Sequence, residues 1–210
     1  MTRNHARVAI VLGLAALLLV LPWFAEKYYV QFATRILIMA IFAMSLDLLV
    51  GYAGLVSLGH AAFYGLAAYT LALVSPQYDG ASLWTSLPLA VGAAALVALA
   101  IGSLALRTSG VYFIMVTLAF AQMLYFVFHD TKIAGGSDGV YIYVRPVADL
   151  FGWRPFSLEN VAHFYYVTLA LAATVFVALA VMLRSPFGRV IAGIRVNEHR
   201  MRSLGYATFR

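Results

Sequence analysis

The chain is predicted to be all-α, a polytopic transmembrane helical bundle, on three observations. Hydrophobic residues make up 64% of its 210 residues and charged residues only 10%, where a water-soluble domain carries about 25% charge. So few polar groups could not cover the surface of a soluble globule of this size. The apolar residues also fall in blocks of about 20, the length of helix that crosses a hydrocarbon core about 30 Å thick, with short charged or Gly/Pro-bearing breaks between them.

About six spans are expected, at residues 8–25, 36–50, 55–74, 86–106, 111–128 and 163–183. The first follows Arg3 and Arg7, as the apolar core of a signal peptide would. It closes on Pro22-Trp23-Phe24-Ala25-Glu26 without a small-x-small cleavage site, so it reads as a retained helix. Trp23, Tyr28 and Tyr29 then sit at the outer interface, where amphipathic rings are favoured. The second span is short, and Gly51-Tyr52-Ala53-Gly54 follows it closely. One of the second and third spans is therefore expected to be broken or re-entrant at membrane depth. The fourth, fifth and sixth are apolar runs of crossing length. Between the last two lies the longest outer loop, whose Gly135-Gly136-Ser137-Asp138-Gly139 reads as a tight turn and lacks the Gly-Lys-Ser/Thr ending of a phosphate loop. Tyr141, Tyr143, Phe151 and Trp153 in this loop read either as a surface for an external partner or as interfacial belt residues. Residues 1–183 are thus read as the transmembrane domain and 184–210 as a cytoplasmic region.

With the N-terminus inside, Arg3, Arg7, Arg107, Arg184, Arg189, Arg195, Arg200, Arg202 and Arg210 are cytoplasmic, and Lys27, Arg35, Lys132, Arg145 and Arg154 are external. Nine against five is the bias the positive-inside rule requires, and it places both termini in the cytoplasm. Basic inner loops account for the net charge of +6, so no nucleic-acid partner is implied; the chain's other expected contact is membrane lipid. The sequence contains no cysteine, which excludes disulfides and thiol chemistry.

Polar side chains inside the spans are the candidate functional residues. Asp47 is the one carboxylate within a predicted span. A charge near the bilayer centre costs at least ~2.5–3.5 kcal/mol, so it should face the bundle interior or water. It reads as a substrate contact, or as a helix-end residue that caps or pairs locally. Ser57, His60 and Tyr64, at spacings of three and four, share one face of a helix. That face lines a solute path or fixes helix packing by hydrogen bonds. Ala61 and Gly65 form a small-xxx-small helix contact. Thr117 and Gln122, in the fifth span, carry the same two readings as the Ser57 face. His60 has no partner at metal-ligand spacing, so no metal is expected, and neither a catalytic nor a cofactor-binding residue stands out.

After the sixth span, Ser185 suits an N-cap, Pro186 the first helical position and Gly205 the position past the end. Val190, Ile194, Met201 and Leu204 form one narrow apolar stripe flanked by Arg189, Arg195, Arg200 and Arg202. Such a helix lies on anionic lipid or enters a partner's groove. Gly188 and Gly193 weaken it as an autonomous lipid-bound helix and suit close approach to another protein.

The run Ala40–Thr70, the stretch Leu106–Gly139 (with Val111-Tyr112-Phe113-Ile114-Met115-Val116-Thr117-Leu118-Ala119-Phe120-Ala121 and Gly135-Gly136-Ser137-Asp138-Gly139) and Ser185–Gly205 resemble three signature regions of bacterial branched-chain amino acid ABC transporter permeases. They look most like the M-type subunit of leucine/isoleucine/valine import systems. The resemblance implies a pore-forming subunit of the bacterial plasma (inner) membrane, paired with a second, homologous permease. It further implies two cytoplasmic ATPase subunits and an extracytoplasmic substrate-binding protein. The stretch from Arg189 to Gly205, with Ile194, Arg195, Asn197, Glu198, Met201 and Leu204, then corresponds to the segment that seats in an ATPase groove. ATP would be bound by that partner, since this chain has no Walker motif and needs no cofactor of its own. Family members continue with further membrane helices beyond this segment, so the chain is expected to be C-terminally truncated.

Related permeases carry urea, short amides or other small organic solutes, which leaves the solute open. A secondary transporter would need intramembrane charges for ion coupling, of which Asp47 alone is present. An intramembrane protease would need a His-Glu-x-x-His or Ser–His constellation with an oxyanion site; Ser57 and His60 come without one, so the chain is not expected to be an enzyme.

Overall fold

A computed structural model describes residues 13, 16–75, 81–131, 135–142, 144, 146–148, 158 and 160–206. Arg3, Arg7, Asp79, Lys132, Tyr143, Arg145, Asp149, Phe151, Trp153, Arg154, Glu159 and Arg210, and the start of the first predicted span, lie outside the described residues.

The described chain is helical. Helix α1 covers 16–24, followed by α2 (Lys27–Asp47), a π-helical segment (Leu48–Ala53), α3 (His60–Val74), α4 (Leu83–Ala105), α5 (Val111–Asp130), α6 (Val161–Arg184) and α7 (Pro186–Ser203). Four stretches are long and apolar enough to cross a membrane: Lys27–Ala53, Leu83–Ala105, Val111–Asp130 and Val161–Arg184. The second helix begins at Lys27 rather than near residue 36, so Arg35 lies inside a helix. A long basic side chain can lay its stem along apolar surface and carry its charge toward water, which is why a polar residue at this position need not mean a loop.

Many large apolar side chains face outward, and small or hydroxyl-bearing ones share the interior with Val30, Leu66, Phe113 and Tyr165. Leu96 and Leu99 on α4 are 70% and 71% exposed, whereas Ala90, Ala105, Ala172, Thr34, Ser86, Thr117 and Thr168 are buried. Small residues let helix backbones approach closely where lipid, not water, covers the outside. The buried hydroxyls are satisfied by the preceding turn, as in Thr34 to the Val30 carbonyl (2.8 Å) and Thr168 to that of Phe164 (2.8 Å). No polar side-chain atom buried among the described residues lacks a partner.

Two helix groups result. Helix α2 packs along α6, while α3, α4 and α5 pack together. The fully buried Tyr165 of α6 donates its hydroxyl to the Leu18 carbonyl (2.7 Å), and Tyr166 donates to that of Leu19 (3.0 Å), which fixes α1 against α6. Outside the helices, Val147 pairs with Ala81 and Leu83 (2.8 and 2.9 Å), anchoring part of the long loop to the start of α4. The expected tight turn is a short 3₁₀ turn, Gly136–Asp138.

Candidate functional site

The break behind α2 organises the polar residues. Helix α2 passes into a π turn that ends at Gly54, whose φ of 74° is a left-handed conformation that suits glycine. The Gly54 and Leu55 N–H groups both close on the Leu49 carbonyl. Residues 55–59 are then non-helical, and α3 starts only at His60. The expected break is therefore present, with α3 a 15-residue apolar helix.

A non-helical backbone among apolar helices needs partners for its polar groups. Thr117 supplies one: its Oγ1 accepts from the Leu58 N–H (3.3 Å) and donates to the Ile114 carbonyl (2.9 Å). Gly59 lies so close to α5 that a Cβ there would sit 2.9 Å from the Thr117 carbonyl oxygen. Thr117 lies six residues after Val111, about 9 Å along the α5 axis, so the break is anchored at the depth of a crossing helix. Buried and bonded both ways, the Thr117 hydroxyl holds backbone and has little left to offer a passing solute.

Ser57, His60 and Tyr64 do not share one helical face. Ser57 precedes α3, and its Oγ accepts from the Gly59 N–H (3.3 Å) in a local turn. His60 and Tyr64 face α2 together. The His60 ring packs on Phe42 (centroids 5.0 Å apart), as does Tyr64 (5.9 Å), and His60 Nε2 lies 2.7 Å from Ser45 Oγ. Ser45 Oγ donates to the Phe42 carbonyl (2.7 Å), so the arrangement that satisfies both groups has Nε2–H donating to Ser45. Ser45 escaped the sequence reading; its signal was a hydroxyl inside a span two residues before Asp47.

Gln122 lines an open cleft of about 460 Å³ between α3 and α5, together with Ala61, Gly65, Tyr69 and Tyr125. No atom outside its own helix and chain neighbours comes within 4 Å of a Cβ built at Gly65. Ala61 and Gly65 thus border this cleft, and Gly65 leaves open space where a helix contact was expected. Asp47 ends α2 and borders a second cleft, of about 390 Å³, with Tyr52 and Arg184.

The segment after α6 departs from a single amphipathic helix. Ser185 caps α7 through the Gly188 N–H (3.4 Å), and Gly205 (φ 87°) ends it, with Tyr206 N–H on the Met201 carbonyl (3.2 Å). Asn197, however, has φ −160° and ψ 96°, and its side chain caps a second short helix through the Arg200 N–H (2.9 Å). The kink folds that helix back, so that a Cβ at Gly193 would lie 2.8 Å from the Met201 sulfur. Gly193 therefore accommodates Met201, and Gly188 is buried against the turn from Leu183. Both glycines serve contacts within the chain, which removes them as an argument for a partner. Arg189, Glu198 and Leu204 are exposed, Ile194 is half-buried, and Glu198 pairs with Arg202 (2.6 Å).

Arg195 turns toward the membrane break. Its guanidinium donates to the Gly51 carbonyl, and its stem crosses Gly54, where a Cβ would sit 2.9 Å from Arg195 Cγ. A side chain expected to face a partner instead joins α7 to the end of the π turn.

Apolar helices of crossing length, a broken helix whose loose backbone is held by a neighbour, and a basic helix tied to that break define a helical integral membrane protein. The chain belongs to the family described as branched-chain amino acid transport system permease components, which it matches over residues 28–210. Among curated relatives, the high-affinity branched-chain amino acid transport system permease proteins LivM of Salmonella typhimurium and Escherichia coli K12 are each 32% identical to it, over 210 and 208 residues. Each comparison covers 90% of this chain and 49% of the relative, so the chain spans about half the length of the curated relatives it matches. No solved structure matches it significantly.

Proposed function

We propose that this chain is the membrane-spanning permease part of an ATP-driven importer for branched-chain amino acids. The observation that carries the reading is the family match over residues 28–210. On this reading the chain sits in a bacterial inner membrane with both termini cytoplasmic, in keeping with its Lys/Arg distribution. Its partners are a second, homologous permease, two cytoplasmic ATPases that bind the ATP, and an extracytoplasmic binding protein.

The chain's part is mechanical. The exposed Arg189, Glu198 and Leu204 of α7 offer the ATPase a contact surface, with Ile194, Asn197, Met201 and Gly205 holding its shape. Arg195 carries the displacement to Gly51, and the π turn carries it to Ser57 and His60. Asp47, Tyr64 and Gln122 line the route of the solute, and Thr117 holds the break in register.

The test is ATP-dependent uptake of labelled leucine, isoleucine and valine into proteoliposomes holding the complete complex. Uptake that needs ATP and fails with Arg189→Glu supports the reading. Uptake driven by an ion gradient without ATP, or transport of urea or amides in place of amino acids, refutes it.

A further inference from the structure

From the cleft that joins the ends of α2 and α6, we infer a transit site for a zwitterionic α-amino acid on this chain, an inference that rests on the transport reading above. The cleft of about 390 Å³ lies within the range of small-molecule pockets, about 300–1,000 Å³. Asp47 enters from the last residue of α2 and Arg184 from the last residue of α6. The two line the same space, yet they are not ion-paired with each other, and neither has a charged partner among the described residues. Two opposite charges held apart across one cleft match the two ends of a zwitterion: the ammonium docks on Asp47 and the carboxylate on Arg184, whose planar fork suits it. Tyr52 borders the same space, and Met44, Leu48 and Leu179 supply an aliphatic wall. A branched side chain laid on that wall leaves water. Both charged residues are exposed, which suits a site of weak, brief occupancy.

The sequence contains no cysteine, so one introduced thiol reports occupancy directly. In the complete complex, Ala180→Cys places it in the cleft, and Ser109→Cys places an exposed control in the turn between α4 and α5, outside the membrane-crossing stretches. Leucine should slow maleimide labelling at the first position and leave the second unchanged. Isocaproate and isopentylamine, each with one of the two charges, should protect about tenfold or more weakly, because each leaves a charged partner unmatched. Adding Asp47→Asn or Arg184→Gln should abolish protection by leucine. Labelling at Ala180→Cys that saturating leucine does not slow, in a complex that still imports leucine, overturns the inference. So does protection that survives the loss of both charges, or equal protection by all three compounds. A complex that imports some other solute, while zwitterions still protect Ala180→Cys, would refute the transport reading and leave the site standing.

Discussion

Replacing Gly54 with alanine tests the joint between α7 and the break. The left-handed conformation of Gly54 (φ 74°) costs an alanine ~1–2 kcal/mol. The new Cβ would also lie 2.9 Å from Arg195 Cγ and 3.2 Å from Cδ, so the stem must move and draw the guanidinium off the Gly51 carbonyl. A hydrogen bond from a charged group is worth ~1.5–3 kcal/mol; Arg195 is exposed, so the lower figure applies. The sum is about 3 kcal/mol for Gly54→Ala, against about 1.5 kcal/mol for Arg195→Ala. In the Arg195→Ala background, Gly54→Ala should cost only its backbone share, about 1.5 kcal/mol. The cycle is measured by reversible unfolding in mixed detergent micelles, with ATP-dependent uptake as a second readout. Distant sites add to within ~0.3–0.5 kcal/mol. Full additivity of the two substitutions, or a Gly54→Ala protein as stable as the parent, would show that Arg195 and Gly54 do not act together.

Other expectations follow from single contacts. Thr117→Val removes the acceptor of the Leu58 N–H and should destabilise by ~1–3 kcal/mol, while Thr117→Ser should restore most of the loss; equal stability of all three proteins would exclude the anchoring role. Ser45→Ala and His60→Ala should each lose about 0.6 kcal/mol, and at most ~1.7 kcal/mol, the average and upper values for hydrogen bonds between membrane helices, and the double variant little more than either single; a strictly additive double variant would sever the pair. Gly193→Ile should expel Met201 and open the kink at Asn197, lengthening the spin-label distance between positions 190 and 204; an unchanged distance would show that the fold-back does not depend on that contact.

The ends of α4, α5 and α6 were readable because an apolar run of crossing length leaves little choice of structure. The break was readable from Gly51 and Gly54, two glycines close behind a span, and Gly54 takes the left-handed conformation that glycine adopts most readily. Its consequences were not, since they depend on a neighbouring helix: that Thr117 serves Leu58, or that His60 meets Ser45, is a matter of which helices pack together. The early start of α2 was hidden by Lys27, Gln31 and Arg35, polar residues spread over its first nine positions. For α7 the signal was present and misread. The apolar stripe skips from Ile194 to Met201, and Asn197 stands in that gap, at the point where the helix bends. The destination of Arg195 carried no sequence signal at all, since an arginine on a basic helix is equally suited to a partner, a lipid headgroup or a carbonyl of its own chain.

The π turn at Leu48–Ala53 winds more residues into each revolution than the α-helix before it. It is a small reserve of slack in an otherwise taut rod. Drawing in one residue would swivel everything beyond it by about 100°, the angle between neighbours on a regular helix. Removing a single residue between 48 and 53 should therefore be better tolerated, in expression and in thermal stability, than removing one from the middle of α5, where no such slack exists.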